Sequence, residues 1–169
     1  MLGYRRLFAA ATVCCAVVLA SSSAVAAGGN PGRTLAPPPD PYTALLCGAA
    51  VGDVTVSVDL DTYRSYVKTY TMSDGSVRLK FNGFQAATVQ GNGKTLHFNI
   101  SGPGTVLING NTLVALIGTG HGLYIGPPGT TQPGLFLYTG QVVFAVEPSG
   151  NAIVVSHTGN VTDICALLR

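Results

Sequence analysis

The chain has 169 residues, of which 47% are hydrophobic and only 9% charged, and its formal net charge is +2. Two of its nine Lys/Arg, Arg5 and Arg6, lie in a predicted export signal, so the remaining seven cations balance seven Asp/Glu. Since no Lys/Arg stripe is left to hold a phosphate backbone, the sequence argues against nucleic acid and against charge-driven binding to an anionic membrane.

Residues 1–26 have the three parts of a secretory signal peptide. Arg5 and Arg6 form a positive n-region, residues 7–20 form an uncharged apolar h-region, and a small-x-small cleavage site ends at Ala26. The apolar run is shorter than the ~20 residues that a membrane-spanning helix needs. We therefore predict cleavage after Ala26, a secreted or cell-surface location, and no transmembrane segment in the mature protein.

The segment after the signal is rich in Gly and Pro. Residues 27–41, AGGNPGRTLAPPPDP, have almost no apolar pattern and cannot bury a core, so we predict a flexible leader. Residues 42–169 then form a single all-β domain, and their number suits one core.

Cysteine usage indicates a disulfide. Of the four cysteines, two lie in the predicted signal peptide, which leaves Cys47 and Cys165. An even number of cysteines in an exported chain is typical of a disulfide. Neither cysteine has a His or a basic neighbour in sequence, which argues against the alternative of two free thiols. The predicted bridge ties the two ends of the domain together.

Apolar and polar residues alternate through the domain, and turn dipeptides separate the runs, as is typical of antiparallel strands. Two-residue type I′ turns are predicted at Asp74-Gly75 and at Asn92-Gly93. The first sets these cross-strand pairs: Met72 with Val77, Thr71 with Arg78, Tyr70 with Leu79, Thr69 with Lys80, and Lys68 with Phe81. The second sets Val89 with Leu96, Thr88 with His97, and Ala87 with Phe98. Further turns are predicted at Asn109-Gly110, at Thr139-Gly140 and around residues 148–151.

So many short strands with tight turns indicate an all-β domain. Strands are predicted over residues 53–59, 63–72, 76–82, 84–90, 94–100, 104–108, 112–118, 121–125, 135–139, 141–147 and 152–158. Hairpin after hairpin favours an antiparallel meander that closes into a β-barrel, with a β-sandwich or jelly roll as the alternative. A short C-terminal helix is predicted over ICALL, with Thr162 as its N-cap and Asp163 favouring its N-terminus.

The stretch GTGHG, residues 118–122, is the strongest candidate for a ligand site. His121 lies there among glycines, with Tyr124 close behind it and the longest irregular connection, residues 125–134, next along the chain. Loops carry binding residues more often than cores do. Glycines at such a point are also typical of a bulge or a tight corner. We take His121 and Tyr124 as candidate ligand-site residues, and predict no catalytic group, metal site or cofactor.

Four segments within residues 95–169 form a recognisable pattern: LHFNISGPGTVLI, GTGHG, LFLYTGQVVF and GNVTDICALL. In these segments the chain resembles small secreted proteins of high-GC Gram-positive bacteria. The resemblance implies an exported all-β protein with a C-terminal cysteine, and it implies no activity.

These observations favour a secreted or cell-envelope β-domain protein without enzymatic activity. It would be a monomeric binding or structural module for an extracellular ligand or an envelope component. The alternative is a carrier of small apolar ligands or lipids, if the interior of the barrel is hollow. A third hypothesis is an extracellular hydrolase that pairs His121 with a distant acid, although no G-x-S-x-G sequence occurs.

Overall fold

The computed structural model describes residues 32–110, 112–147 and 150–169, and the predicted signal peptide lies outside them. Strands make up most of this part of the chain, and their pairings are antiparallel. In chain order the elements are β1 Thr34–Leu35, β2 Tyr42–Ala44, β3 Val54–Val58, β4 Arg64–Thr71, β5 Val77–Phe84, β6 Ala86–Gly91, β7 Lys94–Asn99, β8 Gly104–Asn109, β9 Thr112–Gly126, β10 Gly134–Val146, β11 Ala152–His157, β12 Val161–Asp163 and α1 Ile164–Leu168.

The strands form two sheets. The larger sheet has the order β1-β4-β5-β8-β9-β10-β11, and β12 pairs with another stretch of β10. The smaller sheet has the order β2-β3-β6-β7. The all-β prediction is confirmed. The predicted closure into a barrel is not found in the described residues, because the larger sheet ends at β1 and β11 without pairing these two strands.

The predicted meander is interrupted where the chain leaves the larger sheet after β5 and returns to it at β8. Gln85 makes the outward crossing and Ser101 lies on the return. The Ser101 hydroxyl accepts a hydrogen bond from the Gln85 N–H at 2.9 Å and donates one to the Gln85 carbonyl at 3.1 Å. Because the two crossings are bonded to each other, the β6–β7 hairpin pairs with β3 in a second layer instead of extending the first sheet.

β9 and β10 are each one long strand where the sequence predicts two. They pair from Gly134 opposite Gly126 to Ala145 opposite Ala115. The predicted turn at Thr139-Gly140 is wrong, because Gly140 lies inside β10, directly opposite Gly120 of β9. These two glycines have φ values of 105° and 102°, which residues with a Cβ rarely adopt. Gly140, which predicts a turn in the sequence, and Gly120 therefore lie within one continuous hairpin.

The first predicted hairpin is correct in place and wrong by one residue in register. Lys68 pairs with Lys80 because the turn contains three residues instead of two. The Met72 N–H donates to the Ser76 carbonyl at 2.8 Å, and Gly75 takes a φ of 81°. This is the three-residue hairpin loop that ends in a left-handed glycine.

The second predicted hairpin is confirmed in turn and register. Val89 lies opposite Leu96, and Asn92 takes the positive φ, 49°, that a type I′ turn requires. The Asn92 amide also donates to the Leu168 carbonyl at 2.8 Å, so this turn holds the C-terminal helix.

The β9–β10 hairpin contributes to two hydrophobic cores on its opposite faces. Odd-numbered side chains such as Leu123 and Leu135 pack with the smaller sheet and the helix. Even-numbered side chains such as Phe144 pack with residues of the larger sheet itself. This second core extends from Ala36 beside β1 to Val154 in β11, so the larger sheet curves around it.

Part of the predicted flexible leader, residues 27–41, is a strand. β1 pairs with β4, and the Ala36 N–H donates to the Ser65 carbonyl at 2.9 Å. Ala36 is only 4% exposed. A backbone hydrogen bond and a buried methyl group therefore hold residues 34–36 against the sheet, while residues 27–31 lie outside the described chain.

The predicted disulfide is confirmed, and Cys47 and Cys165 are bonded across 118 residues of sequence. Helix α1 covers the predicted ICALL, and only its N-cap differs from the prediction. Its N-cap is Asp163 instead of Thr162, since the Asp163 carboxylate accepts a hydrogen bond from the Ala166 N–H at 3.1 Å. None of the helices in the described segments is long and apolar enough to cross a membrane.

Replacing both Cys47 and Cys165 by Ser is expected to lower the free energy of unfolding by about 4–5 kcal/mol, because the bridge closes a loop of more than 100 residues in the unfolded chain. The thermal midpoint should fall by more than about 10 °C. Calorimetry with and without reductant measures this. The reduced wild-type protein should match the variant, and a variant as stable as the oxidised protein would contradict the expectation.

Candidate functional site

The GTGHG stretch lies in the middle of β9, where the chain returns from the smaller sheet. The His121 N–H donates to the Ser101 carbonyl at 3.0 Å. Gly102 is so close to β9 that a Cβ there would stand 1.9 Å from the Thr119 carbonyl oxygen. The glycines on both segments thus allow a close approach of two backbones.

A small cavity beside His121 is lined also by Gln85, Ile100 and Phe144. Its volume is about 30 Å³, which accommodates one or two water molecules and is far below the ~300 Å³ of a typical small-molecule site. The Gln85 side chain is 9% exposed, and its Oε1 has no hydrogen-bond partner among the described residues. A water molecule suits this space, and an organic ligand does not.

The His121 side chain is exposed, and no carboxylate in the described segments hydrogen-bonds to it. The other two histidines lie elsewhere. His97 Nδ1 is 3.0 Å from the Thr88 hydroxyl, and the His157 ring packs edge-on against Tyr138. In the described part of the chain, no three His, Cys, Asp or Glu side chains come together in a group that could hold a metal ion.

Tyr124, the second candidate, lies in the core. Its side chain is fully buried and stacks on Phe144, with ring centres 5.8 Å apart. The hydroxyl lies 3.1 Å from the Gln132 carbonyl oxygen and 3.0 Å from that of Ala152. Burial raises the pKa of Tyr124 to about 12. Its hydroxyl is therefore engaged within the protein and turned away from any external ligand.

The long connection between β9 and β10 is held against the core by Gln132. Its amide Nε2 donates to the Tyr138 hydroxyl at 3.0 Å, and its Oε1 accepts from the Val154 N–H at 3.3 Å. An open groove of about 450 Å³ separates this connection from the disulfide, with Leu45, Pro128, Phe136 and Arg169 among its lining residues. His121 does not line this groove, so the structure does not join the predicted candidate to the loop.

Charged and aromatic side chains gather instead on the outer face of the β4–β5 hairpin. Odd-numbered side chains of these strands, such as Val67 and Leu79, pack into the second core, so the even-numbered ones point outward. We call this outer surface the basic–aromatic face. It consists of Arg64, Tyr66, Lys68, Tyr70, Arg78, Lys80, Asn82 and Phe84.

Four of the seven Lys/Arg that follow residue 26 lie on the basic–aromatic face. Lys68 and Lys80 are directly opposite each other, and their Nζ atoms lie 5.2 and 5.7 Å from the centre of the Tyr70 ring. Within the described segments, no carboxylate forms an ion pair with Arg78 or Lys80. Cation–π contacts of this kind attract an ammonium group to the face of an aromatic ring.

The hairpin contains one carboxylate, Asp74, and it belongs to the turn. It accepts hydrogen bonds from the Ser76 hydroxyl at 2.6 Å and from the Ser76 N–H at 2.9 Å. These two bonds lower the pKa of Asp74 below its ordinary value. Asp74 therefore stabilises the turn, and the four cations on the adjoining face give the hairpin a net positive charge.

The sequence does not predict this face, because the predicted register of the β4–β5 hairpin is wrong by one residue. The predicted pairs put Lys68 beside Phe81 and Lys80 beside Thr69, which distributes the charges over both sides of the hairpin. In the structure all four cations are on one side. The signal that would have found them is the three-residue loop Ser73-Asp74-Gly75, with glycine in its last position.

No protein-family model, curated protein or solved structure matches the chain.

Gly120→Ala is expected to lower the free energy of unfolding by about 2–3 kcal/mol, because the new side chain needs a strained backbone. The added Cβ would also stand 2.9 Å from the Ser101 carbonyl oxygen. Gly118→Ala is the matched control, since its Cβ meets Val142 at an ordinary 3.4 Å. Urea unfolding compares them, and equal losses would contradict a special role for Gly120.

Tyr124 is expected to make stability depend on alkaline pH. Its pKa in the folded protein, about 12, is above the usual value of 10, so its contribution is complete below about pH 10 and is lost as pH rises toward 12. Tyrosinate absorbance and urea unfolding between pH 8 and ~12 measure this. In Tyr124→Phe the fraction of tyrosine absorbance that changes near pH 12 should become smaller. A wild-type protein in which every tyrosine ionises near pH 10 would contradict the prediction.

Proposed function

We propose that this protein is an exported binding module without enzymatic activity, and that the basic–aromatic face binds an anionic polymer. The observation that carries the proposal is the register of the β4–β5 hairpin, which places four cations and three aromatic rings on one outward surface. An extended strand pair offers a linear array of contacts, and such an array suits a polymer more than a small molecule.

The charge distribution supports an anionic ligand. Beyond residue 26 the cations and anions balance in number, so attraction to an anion must be local. On this face Lys80 and Arg64 are exposed, and the one carboxylate of the hairpin is bonded within the turn. Charge-assisted hydrogen bonds from Lys and Arg are stronger than neutral ones and suit carboxylate or phosphate groups.

The central pair of this face consists of two lysines, Lys68 and Lys80. Like charges directly opposite each other in a sheet are destabilising. Lys68 and Lys80 hold such positions in a hairpin whose other face already packs into the core. The contacts of both ammonium groups with the Tyr70 ring offset part of this repulsion, and the outward position of the pair supports a role in binding.

The other hypotheses have less support. A carrier of apolar ligands needs a hollow interior, whereas the cavity beside His121 has a volume of only about 30 Å³. A hydrolase needs an acid that orients His121, and no carboxylate of the described residues is bonded to that ring. We therefore place binding ahead of both.

Lys80→Gln is expected to weaken binding to an anionic polymer about tenfold, because it removes one charged contact. Fluorescence anisotropy with labelled polygalacturonate and with labelled inorganic polyphosphate, each at low and high salt, measures this. Binding should weaken as salt rises. Lys94→Gln is the matched control, because Lys94 lies in the smaller sheet and makes the same change of charge.

Lys80→Glu separates binding from stability. It should abolish binding yet raise the free energy of unfolding by about 0.5 kcal/mol, because opposite charges then face each other across β4 and β5. The proposal fails if neither polymer binds to the wild-type protein, or if Lys80→Gln and Lys94→Gln weaken binding equally.

A further inference from the structure

The rings on the basic–aromatic face are arranged in rows with polar groups. Across the hairpin Phe84 pairs with Arg64, and Tyr66 pairs with Asn82. The next row is the two lysines, and the row after it is Tyr70 with Arg78. Three of the four rows therefore combine one aromatic ring with one side chain that donates hydrogen bonds.

Two of these rings are open to solvent. Phe84 is 44% exposed and Tyr66 is 38% exposed. Leu35 of β1 lies beside Tyr66 and is 57% exposed. One end of the face thus carries apolar surface, and the paired ammonium groups come next along the hairpin.

From this arrangement we infer that the anionic polymer is an acidic polysaccharide, whose sugar rings stack on the aromatic side chains while its carboxylates meet the lysines. The inference rests on the proposed function. A sugar ring presents C–H groups on one face and hydroxyl groups at its edge, so it needs an aromatic ring beneath it and donors beside it. Rows two residues apart repeat every ~7 Å, so a chain laid along β4 from Arg64 meets the exposed rings of Phe84 and Tyr66 first and the paired ammonium groups after them.

Other anionic polymers use this face less fully. Polyphosphate has no ring to stack, so Tyr66 and Phe84 would contribute nothing to its binding. A single-stranded nucleic acid would stack its bases, but it carries a charge on each nucleotide and is bound in a groove that is positive along its length. Here the row of Tyr66 and Asn82 carries no charge, so the cations of the other three rows do not form an unbroken positive line.

The test compares four probes on the purified protein by isothermal titration calorimetry. These are an oligogalacturonate, the same oligomer with its carboxylates methyl-esterified, inorganic polyphosphate of equal charge, and oligo(dT). We expect the oligogalacturonate to bind at least about tenfold more tightly than each of the others, because it alone offers both sugar rings and carboxylates. Equal or tighter binding of polyphosphate or oligo(dT) would overturn the inference.

Two ring variants complete the test. Tyr66→Ala and Phe84→Ala should each weaken oligogalacturonate binding about tenfold and leave polyphosphate binding unchanged, because an exposed stacking contact has about this magnitude. Val155→Ala is the control, since Val155 is 54% exposed on β11 at the far edge of the sheet. Thermal unfolding of each variant confirms that it is folded.

The outcomes distinguish the two proposals. If oligogalacturonate and polyphosphate bind equally and the ring variants bind like the wild type, the polysaccharide inference is wrong and the anionic-polymer function stands. If none of the anionic probes binds, both are wrong. If methyl-esterified oligomer binds as well as the acidic one, the charge-based function is wrong although the rings bind sugar.

Discussion

The fold depends on the continuous pairing of β9 with β10. This hairpin is longer than either sheet's other pairings, and it alone contributes side chains to both cores. Its length requires a bend in the middle, which the opposed Gly120 and Gly140 allow. The same point receives the chain as it returns from the smaller sheet, through the hydrogen bond from His121 to Ser101. The glycine pair, the return of the chain from the smaller sheet and the division into two cores therefore all depend on this one hairpin.

That constraint explains why the most suggestive motif in the sequence is structural. GTGHG has the composition of a binding loop, yet its glycines lie where two backbones approach within contact distance. Tyr124, three residues after His121, hydrogen-bonds through its hydroxyl to the backbone carbonyls of Gln132 and Ala152. A glycine-rich stretch with a histidine needs an orienting acid or a concave pocket before it indicates chemistry.

The surface on which the proposed function rests lies at the β4–β5 end of the larger sheet. There the inner side chains of β4 and β5 complete the core, which leaves the outer ones free of packing demands. Opposed lysines and exposed aromatic rings lie together on this one strand pair.

The sequence by itself determined the elements whose signals are local. Alternation gave the strands, Asn92-Gly93 fixed one hairpin, and the two cysteines left by the predicted signal peptide fixed the disulfide. The tertiary structure decided what local signals cannot: whether a glycine ends a strand or bends it, and which sheet a hairpin joins. It also decided the register at Gly75, because two- and three-residue loops both accept glycine there while only one matches the core. A shift of one residue in the pairing of two strands changes which side chains share a face. The four cations lie on one face of the hairpin because packing of its inner side chains into the core selects the observed register.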